Sequence, residues 1–168
     1  MRPTHSTLLH AIALGLGLAL PAWGPVWAGA CGASGDAAAL SGAIALELNA
    51  LRARHGLPPV RVSPALSGTA ADHACDMARR DYFSHKGKSG SSPKTRARRH
   101  GYRACLIAEN IAMGFPDAGQ TLQGWMTSQG HRRNILLRDV SEFGLGMAPP
   151  RPGEAGGTRW VLVLARPC

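Results

Sequence analysis

Phe143-Gly-Leu-Gly-Met-Ala148 and Thr158-Arg-Trp-Val-Leu-Val-Leu-Ala165 lie near the C-terminal end of a 168-residue chain and decide its fold class. Both runs are short, apolar and bounded by turn residues, so they read as strands. Pro149–Gly157, with three Pro and three Gly, joins them as a hairpin loop. Ile107–Met113, another apolar run, reads as strand or extended chain. The segments before these runs have a different period. Leu40, Ile44, Leu48 and Leu51 fall on one face of a helix over 36–54, capped by Asp36 and stopped at His55-Gly56 with Pro58-Pro59 beyond. Val60-Arg61-Val62 is a short link. Ser63-Pro64 and Ser92-Pro93 each place a capping hydroxyl before a Pro at the first helical position. They start one helix that ends near Arg80 and a shorter one that Gly101 stops. Asp117 caps a further helix carrying Leu122, Trp125 and Met126, which Gln129-Gly130 is expected to end. Helices first, strands late and no βαβ alternation make the class α+β, with helices on a small antiparallel sheet.

The N-terminal end follows another logic. Arg2 and His5 precede the apolar run Leu8–Leu20, and Val26-Trp27-Ala28 closes with a small-x-small pattern. This describes a secretory signal peptide over residues 1–28, leaving 29–168 as a single domain. The apolar run spans roughly 20 Å as helix, short of the ~30 Å of a bilayer core, so no transmembrane anchor is expected. Ala28-Gly29-Ala30-Cys31 loosely resembles a lipoprotein box, but ten residues with two Trp and two Pro separate Cys31 from the apolar run. Secretion or release to the periplasm is the favoured reading over lipidation at Cys31.

Four cysteines in an exported chain, Cys31, Cys75, Cys105 and Cys168, read as two disulfides. Three connectivities are open. Cys75–Cys105 with Cys31–Cys168 is favoured because the second pair would tie down both ends of the domain. No close C-x-x-C pair marks a zinc site.

Nineteen Lys and Arg against ten Asp and Glu give a net charge of +9. The cations concentrate in Lys86, Lys88, Lys94, Arg96, Arg98, Arg99 and Arg103, with no acid among them. A patch of one sign attracts anions at low salt, here anionic lipid headgroups, polysaccharides or other envelope polymers. No nucleic-acid reading motif accompanies it, and the export signal argues against that partner. The plain alternative is a solvated face that keeps the protein soluble. The composition excludes a coiled coil, a collagenous repeat and a long disordered tail. Ser91-x-x-Lys94 matches the penicillin-binding S-x-x-K pattern without its companions, and no G-x-S-x-G elbow is present. His73, between Asp72 and Asp76, sits on the apolar face of its helix and reads as a core histidine. Trp125 and Trp160 read as core or cleft-wall aromatics.

Several runs together carry a family resemblance. Asn49-Ala-Leu-Arg52, Tyr82-Phe-Ser-His85, Ala108-Glu109-Asn110-Ile111-Ala112 and Trp125-Met-Thr-Ser128-Gln-Gly-His131-Arg-Arg-Asn134-Ile135-Leu136 resemble, in order, the CAP superfamily of cysteine-rich secretory proteins, antigen 5 and pathogenesis-related 1, in its bacterial SCP-domain form. The resemblance implies an α–β–α sandwich with a cleft lined by two His and two Glu able to hold a divalent metal. Residue by residue it points to His85, Glu109 and His131. The second Glu position falls on Ser128, a departure from the pattern. Two imidazoles and a carboxylate are a sensible zinc set with a fourth place for water, so His85, Glu109 and His131 are the metal and catalytic candidates, although no cofactor is required. The family implies three roles: a binding module for a lipid, envelope glycan or other extracellular ligand; a metal-assisted peptidase; and a disulfide-stapled interaction protein. Ser128 in place of a carboxylate and the absence of a nucleophile motif favour binding over hydrolysis.

Overall fold

A computed structural model describes residues 34–151, 153–154 and 156–168. The expected signal peptide and Cys31 lie outside the described residues. The elements are α1 (Ser34–Arg54), β1 (Arg61–Val62), α2 (Pro64–Arg79), α3 (Pro93–Arg99), β2 (Ala104–Met113), α4 (Ala118–Thr127), α5 (Gln129–Ile135), β3 (Glu142–Ala148) and β4 (Arg159–Pro167).

One four-stranded sheet runs in the order β1-β3-β4-β2. β4 is antiparallel to both neighbours, with Val163 opposite Gly144 on one side and Glu109 on the other. Its alternation builds the two cores. Val161, Val163 and Ala165 pack with Leu66, Ala70, Ala74 and Met77 of α2 and Ala97 of α3. Trp160, Leu162 and Leu164 pack with Ile44 and Leu48 of α1, Leu122 and Trp125 of α4, and Ile135 of α5. A strand covered on both faces must be apolar at every position, which is why 160–165 has no polar residue. The α+β class and the three-layer arrangement match expectation. The antiparallel sheet gains one parallel element, because the link around Arg61 pairs with Glu142 and Phe143 as β1.

Three of the four expected caps form; Asp36 instead lies inside the first turn of α1, which already begins at Ser34. Ser63 Oγ accepts from Leu66 N–H, Ser92 Oγ from Thr95 N–H and Asp117 Oδ1 from Gln120 N–H. Gly56 (φ +63°) and Gly101 (φ +76°) follow the helices they were expected to stop. At Gly144 and Gly146, α2 meets β3 backbone to backbone. A Cβ there would fall on the main chain of Leu66-Ser67 or Ala70-Ala71. Inside the other layer, Asn49 pairs both ways with the Val60 main chain, at 3.0 and 2.8 Å. Buried Arg52 donates to Pro58 O, Ile135 O and Leu137 O, joining α1 to the end of α5 without a carboxylate.

Two expectations are corrected. The helix capped by Asp117 does not simply end at Gln129-Gly130. Ser128 breaks it for one residue in extended geometry (φ −95°, ψ 119°), and α5 begins at Gln129. The pairing Cys75–Cys105 with Cys31–Cys168 is also overturned, because Cys105 bonds Cys168. β2 and β4 are antiparallel neighbours, with Ala104 opposite Pro167 and a register shift at Cys105. This brings the two Cα atoms to 4.8 Å, within disulfide reach. Cys75, buried in α2, is disulfide-bonded as well.

Candidate functional site

β2 is an edge strand, and successive residues on it point to opposite layers. Glu109 shares the face of Ile111, toward α2 and α3; Asn110 shares the face of Ala112, toward α5. One dipeptide therefore organises both sides of the strand.

On the first side the Glu109 carboxylate is almost wholly buried, its side chain 2% exposed. Oε2 accepts from Arg96 Nη2 at 2.7 Å, and Oε1 faces His85 Nδ1 at 2.9 Å. The carboxylate can only accept, so His85 carries its proton on Nδ1 and keeps Nε2 for other partners. The His85 side chain is 53% exposed, so that nitrogen is within reach of a ligand. Arg96 also donates to His85 O and Ser91 O, at 3.1 and 2.9 Å. A single guanidinium thus holds the loop on which His85 sits and the acid that orients its ring. Behind them lies His73, fully buried, with Nε2 3.0 Å from Ser84 O and 3.8 Å from Glu109 Oε1. Burial is the main cause of its lowered pKa; the Arg96 charge adds to it, and Glu109 opposes it.

On the second side, Asn110 Nδ2 donates to His131 O at 3.0 Å, and Asn134 Nδ2 donates to Asn110 Oδ1 at 2.8 Å. These bonds seat α5 and bring half-buried His131 close enough for the charge of His85 to act on it. The pKa of His131 is lowered, first by burial and then by His85. Ser128 stands half-buried at the α4–α5 joint, and its side chain makes no capping bond.

The structure therefore joins His85 directly to Glu109 and brings His131 within electrostatic range. The set does not fit a metal centre as it stands, because both Glu109 oxygens are committed to Arg96 and His85. Among the described residues, no three His, Cys, Asp or Glu side chains are grouped to hold a metal ion.

The basic segment divides. Lys86, Lys88, Lys94, Arg98, Arg99 and Arg103 are exposed, and among the described residues none is paired with an acid. Lys88 Nζ sits 5.3 Å from the centre of the Tyr82 ring. Arg96, expected among them, is instead buried against Glu109. The signal for this was helical spacing: Pro93, Arg96 and Ala97 share the inward face of α3, although seven cations look alike when only charge is counted. Other readings hold. Trp125 Nε1 donates to Ile111 O and Trp160 Nε1 to Phe115 O from the core, and His73 is a core residue. Sequence reasoning did not connect His73 to Glu109.

Comparison with known proteins places these residues in a family. The sequence profile of the cysteine-rich secretory protein family, CAP, matches residues 46–164. The chain belongs to the CAP family. YkwD of Bacillus subtilis (strain 168), itself uncharacterised, is 34% identical over 98 residues, 58% of this chain and 38% of that protein. The crystal structure of an extracellular protein containing a SCP domain from Bacillus anthracis str. Ames has a TM-score of 0.63 at 29% identity, covering 71% of this chain and 37% of that one. An outer surface protein from Borrelia burgdorferi has a TM-score of 0.66 at 17% identity, covering 74% of this chain and 90% of that one, a likeness of fold. This CAP domain thus spans well under half the length of its Bacillus relatives. Among the described residues, no helix is long and apolar enough to cross a membrane.

Proposed function

We propose that this CAP domain is exported and works as a binding module, taking a lipid, an envelope glycan or another extracellular ligand at the cleft of His85, Glu109, Ser128 and His131. The commitment of Glu109 carries the reading. A peptidase at this place would need a carboxylate free to take a proton from water or to hold a metal, and Glu109 has both oxygens engaged. Ser128 stands where a second carboxylate would be, and an unaided hydroxyl is no base at neutral pH. What remains for a ligand is His85 Nε2, the His131 ring and the Ser128 hydroxyl: hydrogen-bonding groups on a fixed frame. A His₂Glu set suits zinc. With Glu109 held by Arg96 that set falls to two imidazoles, and the reading needs no metal. Export is supported by the signal pattern of residues 1–28 and by the extracellular and outer-surface descriptions of the structural neighbours. The exposed cations would add a salt-sensitive attraction to anionic envelope material.

The test uses the exported protein against its own envelope fraction and against a broad peptide library. Retention on the envelope fraction is expected to fall with His85→Ala and with His131→Ala, with no peptide turnover. Turnover that Glu109→Gln abolishes would overturn the reading, as would retention indifferent to both histidines. Zinc titration supplies a further check: affinity lost on either His→Ala substitution would return the metal-assisted alternative.

A further inference from the structure

A groove other than the one around His85 opens on the same layer of the fold. It lies between α2 and α3, has a volume of about 470 Å³ and is within the size range of small-ligand sites. Such sites are usually apolar, whereas this one is polar, and among the described residues Cys75 is the only apolar one in its wall. Such a wall offers an acyl chain little to pack on.

Its polar groups form two sets. Arg79 closes α2 and Arg99 closes α3, both exposed on the groove. Among the described residues neither guanidinium has an acidic partner. Arg96 also lines the groove; its side chain is 6% exposed, and its buried Nε–H has no acceptor among the described residues. A buried donor without a partner costs free energy. The second set accepts. Asp72 is held by His100 Nε2 at 2.8 Å, and Asp76 by Arg80 Nε at 3.1 Å and by the Tyr82 hydroxyl. Unlike buried Glu109, these carboxylates reach solvent, with side chains 71% exposed for Asp72 and 31% for Asp76, so their remaining lone pairs are open to a ligand. A bare phosphate would meet the arginines and be repelled by the two acids. A neutral sugar would satisfy the acids and leave the arginines idle. A hydroxylated anion answers both.

We propose that this groove binds an anionic saccharide, a sugar unit bearing a carboxylate or a phosphate group. The site is separate from the His85 cleft, with Arg96 as their common wall, and it stands independently of what that cleft binds.

Isothermal titration of the whole domain with glucuronic acid, glucose 6-phosphate, glucose and inorganic phosphate tests it. At least one anionic sugar should bind about tenfold more tightly than glucose and than phosphate, and the tighter of the two identifies the acid group. Arg79→Ala/Arg99→Ala should weaken that binding by at least about tenfold. Both side chains are exposed, so the thermal midpoint should stay in place. Arg54→Ala/Arg133→Ala removes the same charge from the opposite layer and should change it less than about twofold. Equal losses in the two double variants, equal binding of phosphate and the anionic sugars, equal binding of glucose, or no saturable binding by either anionic sugar would each overturn the proposal.

Discussion

Arg96→Ala tests the centre of the site most directly. The substitution removes the 2.7 Å bond to Glu109 and the bonds to His85 O and Ser91 O, and it leaves a carboxylate that is 2% exposed with His85 as its one side-chain hydrogen-bond partner and His73 3.8 Å away. Removing one member of a buried pair costs about 3–5 kcal/mol, mostly the penalty of the charge left behind. That is a large fraction of a typical domain stability of about 5–15 kcal/mol. For a domain of this size it corresponds to a fall of about 10–20 °C in Tm. The measurement is urea and thermal unfolding by circular dichroism, with disulfides intact. Arg96→Lys keeps the charge without the planar fork and should fall between. Arg96→Met/Glu109→Leu removes both charges and should recover much of the loss, since the penalty lies in the unpaired partner. An Arg96→Ala variant within about 1 kcal/mol of the parent, the range of exposed pairs, would refute the reasoning.

His131 should titrate below the ordinary histidine value of about 6.5, and His85→Ala should raise it part of the way back, because burial remains when the neighbouring charge is gone. The folded value is depressed, so the stability linked to His131 is complete above about pH 6.5 and is lost as pH falls through the lowered value. An NMR titration reads the shift, and a His131 indifferent to His85→Ala contradicts it. Gly146→Ala should cost at least about 2–3 kcal/mol, since the added carbon meets Ala70-Ala71 main chain that cannot rotate away; a urea midpoint close to the parent's would show that α2 yields. Cys105→Ser/Cys168→Ser opens a disulfide across 63 positions, which chain-entropy reasoning places at up to about 4 kcal/mol. Hydrogen exchange should then rise first around Ala104–Leu106, and unchanged protection there would count against a role in holding that end of β2.

Much of the frame was legible because it rests on local chemistry. Ser63-Pro64, Ser92-Pro93 and Asp117 cap where capping hydroxyls and carboxylates belong, and the apolar run at 160–165 is the central strand. The failures share one cause, which is dependence on partners distant in sequence. Cys105 meets Cys168 only because β2 and β4 are neighbours, a pairing that cysteine spacing does not contain. By charge alone Arg96 looks like Arg98, and its buried partner Glu109 lies on β2, 13 positions away. At Gly130 the stop signal was overridden within one residue, since glycine in the first turn of α5 costs less than the packing of Ile135 and the bonds of Asn134 return. At the site itself, motif resemblance located His85, Glu109 and His131, but showed neither the arginine that engages the acid nor the histidine behind it.

The alternation of Glu109 and Asn110 makes the alignment of β2 unusually consequential. A slip by one position would deliver the amide to Arg96 and the carboxylate to α5, undoing both halves at once. An outermost strand is gripped from one flank only, by β4. The covalent bond from Cys105 to Cys168 fastens these two strands four residues upstream of Glu109, so it serves as a registration peg, converting a sliding joint into an indexed one.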